Sequence, residues 1–111
     1  QQVPCCNMND SSANSVLKNR DCALAVVQST VGHYHVGFDE IYFMLDGHIT
    51  LQLYCPTTKE TSLHQLKANE TCVIPKGVHH KVVGASPENR LCVITSPPFQ
   101  PHDDHPSDIL R

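Results

Sequence analysis

Two histidines two positions apart, His33 and His35, open the chemistry of this sequence. On a β-strand, positions i and i+2 point to the same face, so both imidazoles project together. Val36-Gly37-Phe38-Asp39 then leads to the carboxylate of Glu40, an apolar run Ile41-Tyr42-Phe43-Met44-Leu45, and an Asp46-Gly47 turn. This order predicts that Glu40 starts a second strand beside the first, with its carboxylate facing the same space as the imidazoles. A second stretch, Ile-Pro-Lys-Gly-Val-His-His-Lys-Val over 74–82, places His80 after a rigid Pro75/Gly77 turn. Three imidazoles and one carboxylate form a mixed nitrogen/oxygen set, which suits one divalent transition metal: Fe, Mn, Ni, Co or Zn. A metal also gives such groups a reason to point inward, because coordination compensates a buried charge.

The neighbours of these four residues carry further expectations. His79 precedes His80, and alternation sends it to the opposite side, outside the ligand set and towards the barrel rim. Tyr42 lies two beyond Glu40 and faces the same interior, where its hydroxyl could orient a ligand or substrate. Tyr42 and His79 are the two candidate catalytic groups, the acid or base that the ligand set does not itself provide. Met44 continues the inward face as core, and His48 and His64 read as solvated. The tail contains His102-Asp103-Asp104-His105 among prolines and reads as a solvated Pro-rich segment rather than a second metal site.

The elements that must position these residues are strands. Cys22–Gln28, Thr30–Val36, Glu40–Leu45, His48–Tyr54, Leu63–Leu66, Thr71–Ile74, His80–Val83 and Leu91–Thr95 are strand-like runs divided by turn residues. Asp46-Gly47 between two such runs predicts a tight hairpin. In the second of them Ile49, Leu51 and Leu53 alternate with His48, Thr50 and Gln52, one face buried and one wet. Ser15–Arg20 reads as a short strand and residues 1–14 as a polar arm. Short strands at regular spacing with no convincing helix predict an all-β sandwich or barrel. The chain divides into an N-terminal arm and first strand over 1–21, a barrel over 22–98 and a tail over 99–111.

At 111 residues the chain builds one core. It is 40% hydrophobic and 17% charged, with a net charge of −3 and no basic cluster. Nucleic acid and anionic membrane surfaces are therefore not expected partners. No apolar run approaches the ~18 residues that span a bilayer. Gln1-Gln2-Val3-Pro4-Cys5-Cys6 lacks the charged start and apolar core of a signal peptide, and the missing initiator Met suggests processing or trimming. Six cysteines without a Cys-x-x-Cys, two of them in apolar strand-like runs (Cys72 and Cys92), read as reduced core thiols and favour a cytoplasmic protein. Eight histidines are the most informative feature of the composition.

The pattern His33-x-His35-x4-Glu40-x6-Gly47, followed by Pro75-x-Gly77-x-x-His80, resembles the two metal-site motifs of the cupins, over roughly residues 22–98. The sequence differs from the family pattern at Asn69, Gly84 and Val27, where the motifs carry Gly, Asn and Gly. Asn tolerates left-handed φ better than most residues, so the first change is mild. The resemblance implies a double-stranded β-helix barrel with one metal inside, bound by His33, His35, Glu40 and His80. It also implies a homodimer joined through the sheets. Ser96-Pro97-Pro98-Phe99 is similar to a segment of some small cupins acting on sugars and uronates, and could lie across the barrel as a lid. A six-coordinate metal would keep two positions open for a chelating small molecule. Three functions follow: a metal-dependent enzyme of isomerase or epimerase type on a sugar or oxygen-rich acid, an Fe(II)-dependent dioxygenase, or a non-catalytic small-molecule-binding barrel.

Overall fold

Ile41-Tyr42-Phe43-Met44-Leu45 is apolar on both parities, which marks a strand covered on two faces. In the structure, a computed structural model that describes residues 21–97 and 100–111, this run forms the middle of β3 (Asp39–Asp46). Glu40, Tyr42 and Met44 are buried on its inner side, and Ile41, Phe43 and Leu45 are half-buried on the other. Among the described residues the remaining strands are β1 (Asp21–Ala25), β2 (His33–Tyr34), β4 (His48–Cys55), β5 (Glu60–Lys67), β6 (Thr71–Ile74), β7 (His79–Ala85), β8 (Arg90–Ser96) and β9 (His105–Pro106). They form two antiparallel sheets, ordered β1-β8-β3-β6 and β5-β4-β7-β2-β9. The inner faces meet in a core of Tyr42, Met44, Ile74 and Leu91 from one sheet and Ile49, Leu51, Leu66 and Val82 from the other.

Two expectations about neighbouring strands do not hold. The Asp46-Gly47 turn forms, with Gly47 at φ +76°, but β3 and β4 are not a hairpin: β3 pairs with β6 and β8, and β4 with β5 and β7. Likewise β3 does not lie beside β2, because β2 belongs to the other sheet. The reason is burial. A hairpin would put Tyr42 and Met44 on the same sheet face as Ile49 and Leu51 and leave that face uncovered. Turning each corner into the opposite sheet lets the two faces cover each other. Asn69 adopts the left-handed conformation foreseen for it, at φ 70°.

The Pro-rich tail is docked on the barrel rather than free in solvent, although most of its side chains stay exposed. After a 3-10 turn at Pro101–Asp103, β9 pairs with β2, matching His33 to Pro106 and Tyr34 to His105. Asp103, Ser107 and Leu110 are buried. Without this segment β2 would be a sheet edge with open backbone groups, and the tail covers that edge. The expected N-terminal arm and Ser15–Arg20 strand, and the Pro98-Phe99 half of the expected lid, lie outside the described residues.

Candidate metal centre

The site is assembled from both sheets. The register of β2 on β7 sets His33 directly opposite His80, so the two imidazoles share the inner face with ring centroids 4.1 Å apart. His35 follows β2 at the corner where the chain crosses to β3, and Glu40 enters from the facing sheet. One ligand atom from each of His33, His35, Glu40 and His80 lies within 4.8 Å of the others. His35, Glu40 and His80 are buried and His33 is half-buried.

The backbone fixes which nitrogen each imidazole presents. His33 Nδ1 donates to the Val31 carbonyl at 2.7 Å, His35 Nδ1 to the Asp103 carbonyl at 2.6 Å and His80 Nδ1 to the Val78 carbonyl at 3.2 Å. A carbonyl can only accept, so each Nδ1 carries the proton and each Nε2 offers a lone pair. Glu40 Oε1 stands 2.8 Å from His80 Nε2 and 3.3 Å from His35 Nε2. Glu40 Oε1 and His80 Nε2 are buried without a hydrogen bond to any described residue. The ligand atoms of His33, His35, Glu40 and His80 thus converge on one point. A divalent cation fits this donor set, and the four groups are those that would hold it.

The electrostatics match. Burial pushes the Glu40 carboxyl upward, but the imidazoles of His35 and His80 outweigh it and hold the group at about 2, ionised. Burial and the charge of His80 lower the proton affinity of His33, favouring its neutral, ligating form. His35 moves the other way. Burial lowers its proton affinity, and the Glu40 carboxylate with the Asp103 carbonyl more than reverses that. Without a cation, the proton on His35 is the charge that can compensate Glu40.

Tyr42 is buried on the inner face two residues beyond Glu40, its ring edge-on to His80 with centroids 6.2 Å apart. Burial and the neighbouring Glu40 charge raise its proton affinity, so the phenol stays neutral. The structure does not bring His79 to the cluster. It lies on the outer face of β7, stacked on Tyr34 at 4.3 Å and edge-on to Tyr54, with Nδ1 2.6 Å from Ser107 Oγ. Strand alternation that points His80 inward points His79 outward, so His79 cannot act on a group held by the four ligands. His48 and His64 are exposed.

Two residues escape a reading of the sequence. Thr95 lies directly opposite Glu40 on β8, 4% exposed, with a hydroxyl that has no hydrogen-bond partner among the described residues. Its signal is parity: Leu91, Val93 and Thr95 face inward together, and Thr95 is the polar one. The other is Asp103, buried against residues 35–37. Of the four clustered residues His33 alone lines a cleft of about 470 Å³, with Thr30, Val31, Gly32, Asp104 and Pro106.

Two antiparallel sheets closed over an inward His/Glu cluster define the cupin fold, the all-β double-stranded β-helix that the motifs imply. No protein-family model matches the sequence, and no curated protein matches it. Among solved structures the chain is similar to a Streptomyces nucleoside dehydratase with uridine (TM-score 0.64, 13% identity, 80% of this chain and 68% of that one). It is also similar to a TDP-quinovose 3,4-ketoisomerase from Campylobacter jejuni (TM-score 0.68, 15% identity, 82% and 71%). A third is the Mn(II)-containing oxalate decarboxylase of Bacillus subtilis (TM-score 0.69, 11% identity, 79% of this chain and 24% of that one). At these identities the likeness is one of fold. Among the described residues no helix is long and apolar enough to cross a membrane.

Proposed function

We propose that the protein is a metal-dependent enzyme acting on a small polar molecule, a sugar or oxygen-rich acid, by isomerase- or epimerase-type chemistry. The observation that carries this reading is the convergence of His33, His35, Glu40 and His80, with every imidazole fixed through its Nδ1. The structural neighbours that act on nucleosides and nucleotide sugars support the substrate class. A divalent metal held by the four residues would supply Lewis acidity and a template for substrate oxygens.

The residues of this chain would do the rest. The cleft at His33 has the size of a small-ligand site, which is typically about 300–1,000 Å³. Tyr42 keeps its proton and is suited to donate a hydrogen bond from the closed side. Asp104, in the cleft, is placed to accept a proton from the open side. Isomerisation next to a carbonyl exchanges a carbon-bound proton with solvent. The test is deuterium incorporation, read by NMR in D2O, for a panel of sugars, uronates and hydroxy-ketones with metal-loaded protein. Metal-dependent incorporation supports the reading. Oxygen uptake by the Fe(II) form would replace it with dioxygenation, and saturable binding without turnover would leave a binding barrel.

A homodimer is part of the proposal. The outer face of the four-stranded sheet exposes Leu24 and Val73, at 55% and 57%, beside half-buried Ile41, Phe43 and Ile94. A second copy would cover it, and sedimentation of Val73→Asp against the wild type tests this. Cys55 and Cys72 stand as free thiols, which supports a cytoplasmic setting.

A further inference from the structure

His35 is the ligand with the least support from its own strand. The β2 ladder ends at Tyr34, and beyond it the His35 backbone is held by the Gly77 amide, which donates to the His35 carbonyl at 2.7 Å. Its ring stacks on Phe38 at 4.4 Å, and one tail residue, Asp103, anchors it further. The Asp103 carbonyl accepts from His35 Nδ1 at 2.6 Å. Its carboxylate accepts the amides of Val36 and Gly37 at 3.0 and 2.7 Å, and pairs with His105 Nε2 at 2.9 Å. Asp103 therefore grips three consecutive residues, 35 to 37, at the corner between the sheets, and it is 6% exposed. The fit is close: a Cβ on Gly37 would stand 2.8 Å from Asp103 Oδ2. The tail is fastened beyond this point as well. Ser107 N donates to the Gly32 carbonyl at 2.9 Å, and a Cβ on Gly32 would run into the Leu110 carbonyl.

We propose that Asp103 is a positioning residue of the metal centre, its carboxylate locking the 35–37 corner so that its carbonyl fixes the His35 ring with Nε2 aimed at the metal. The proposal rests on the metal reading above. The carboxylate is not itself a ligand, because its oxygens are taken by the two amides and His105. Its effect is on the orientation of His35: an imidazole whose Nδ1–H has a fixed acceptor has one ring orientation and one tautomer. The tail thus belongs to the site even though it brings no ligand.

The test is Co(II) titration of metal-free protein, followed by the visible absorption of the bound ion. Asp103→Ala is expected to raise the Co(II) Kd by on the order of 10- to 100-fold, the usual cost of losing such a support. Asp103→Asn should lose less, since its amide oxygen still accepts one of the two N–H groups. In a His35→Ala background, Asp103→Ala should add little further loss, because its effect runs through His35. A merely structural residue would lower the melting temperature of the metal-free protein and leave the Co(II) Kd unchanged, or would cost the same factor with and without His35. Either result overturns the proposal. If Asp103→Ala does not fold, Gly37→Ala decides: it removes no polar group but sets a methyl against Asp103 Oδ2, and an unchanged Kd there overturns the proposal equally. Wild-type protein that takes up no Co(II) removes the metal reading and this proposal with it. Tight binding by wild type and Asp103→Ala alike removes this proposal alone.

Discussion

His79 and His80 are neighbours in sequence and opposites in environment. On the outer face, His79 continues a row of rings across four strands, His105, Tyr34, His79 and Tyr54, and its polar atom meets the Ser107 hydroxyl. On the inner face, His80 shares a row with His33, and its Nε2 faces the Glu40 oxygen. In the outer row His79 Nδ1 meets Ser107 and His105 Nε2 meets Asp103, contacts that serve cohesion. The inner row converges with His35 and Glu40 on one point and so is built for something else to bind. Residue type does not separate the two; the partners of each nitrogen do.

Substitutions sharpen this contrast. The largest effect is expected from His80→Ala, which should weaken metal binding by more than about 100-fold, since loss of a supporting residue alone costs up to that much. Isothermal titration with Mn(II) or Co(II) measures it. Tyr42→Phe should keep the metal and lower turnover by on the order of 100-fold, the scale of one preorganised hydrogen-bond donor. A fall in metal affinity instead would make Tyr42 part of the ligand support.

Glu40→Gln probes the inner face through pH in metal-free protein. The folded value of Glu40 is depressed, from 4.5 to about 2. The stability it contributes is therefore present above pH 4.5 and lost as pH falls towards 2. Melting curves of wild type and Glu40→Gln should be separated near neutrality and converge towards pH 2; a gap independent of pH would contradict the assignment. His79→Ala should leave metal affinity unchanged and cost about 1 kcal/mol of stability through the Ser107 contact and the stacked rings. Metal loss in that variant would collapse the distinction between the faces. Thr95→Val has the smallest expected effect on stability. It replaces a hydroxyl without a partner among the described residues by an isosteric methyl, so metal-free stability should stay level or rise by up to about 1 kcal/mol.

The clustering of His33, His35, Glu40 and His80 was legible because it depends on local rules: the i, i+2 spacing of two histidines in extended chain, a rigid turn before His80, and the chemistry of imidazole with carboxylate. So were the inward parity of Tyr42 and Met44 and the left-handed Asn69. Pairing was not legible at two corners. A Gly47 turn reads the same whether it closes a hairpin or turns into a facing sheet, and only the need to cover Ile49 and Leu51 with Tyr42 and Met44 decides between them. The tail was misread for a related reason. His102-Asp103-Asp104-His105 among prolines has no period, and what docks it is the open edge of β2 together with bare Gly32 and Gly37, features of distant sequence.

The central claim is that the inner cluster holds a metal, and the most direct measurement is elemental analysis of protein purified without chelators, beside His80→Ala prepared identically. The account predicts a stoichiometric divalent transition metal in the wild type and its loss from a folded His80→Ala. A wild type that stays metal-free after reconstitution, or a His80→Ala that keeps full occupancy, would contradict it.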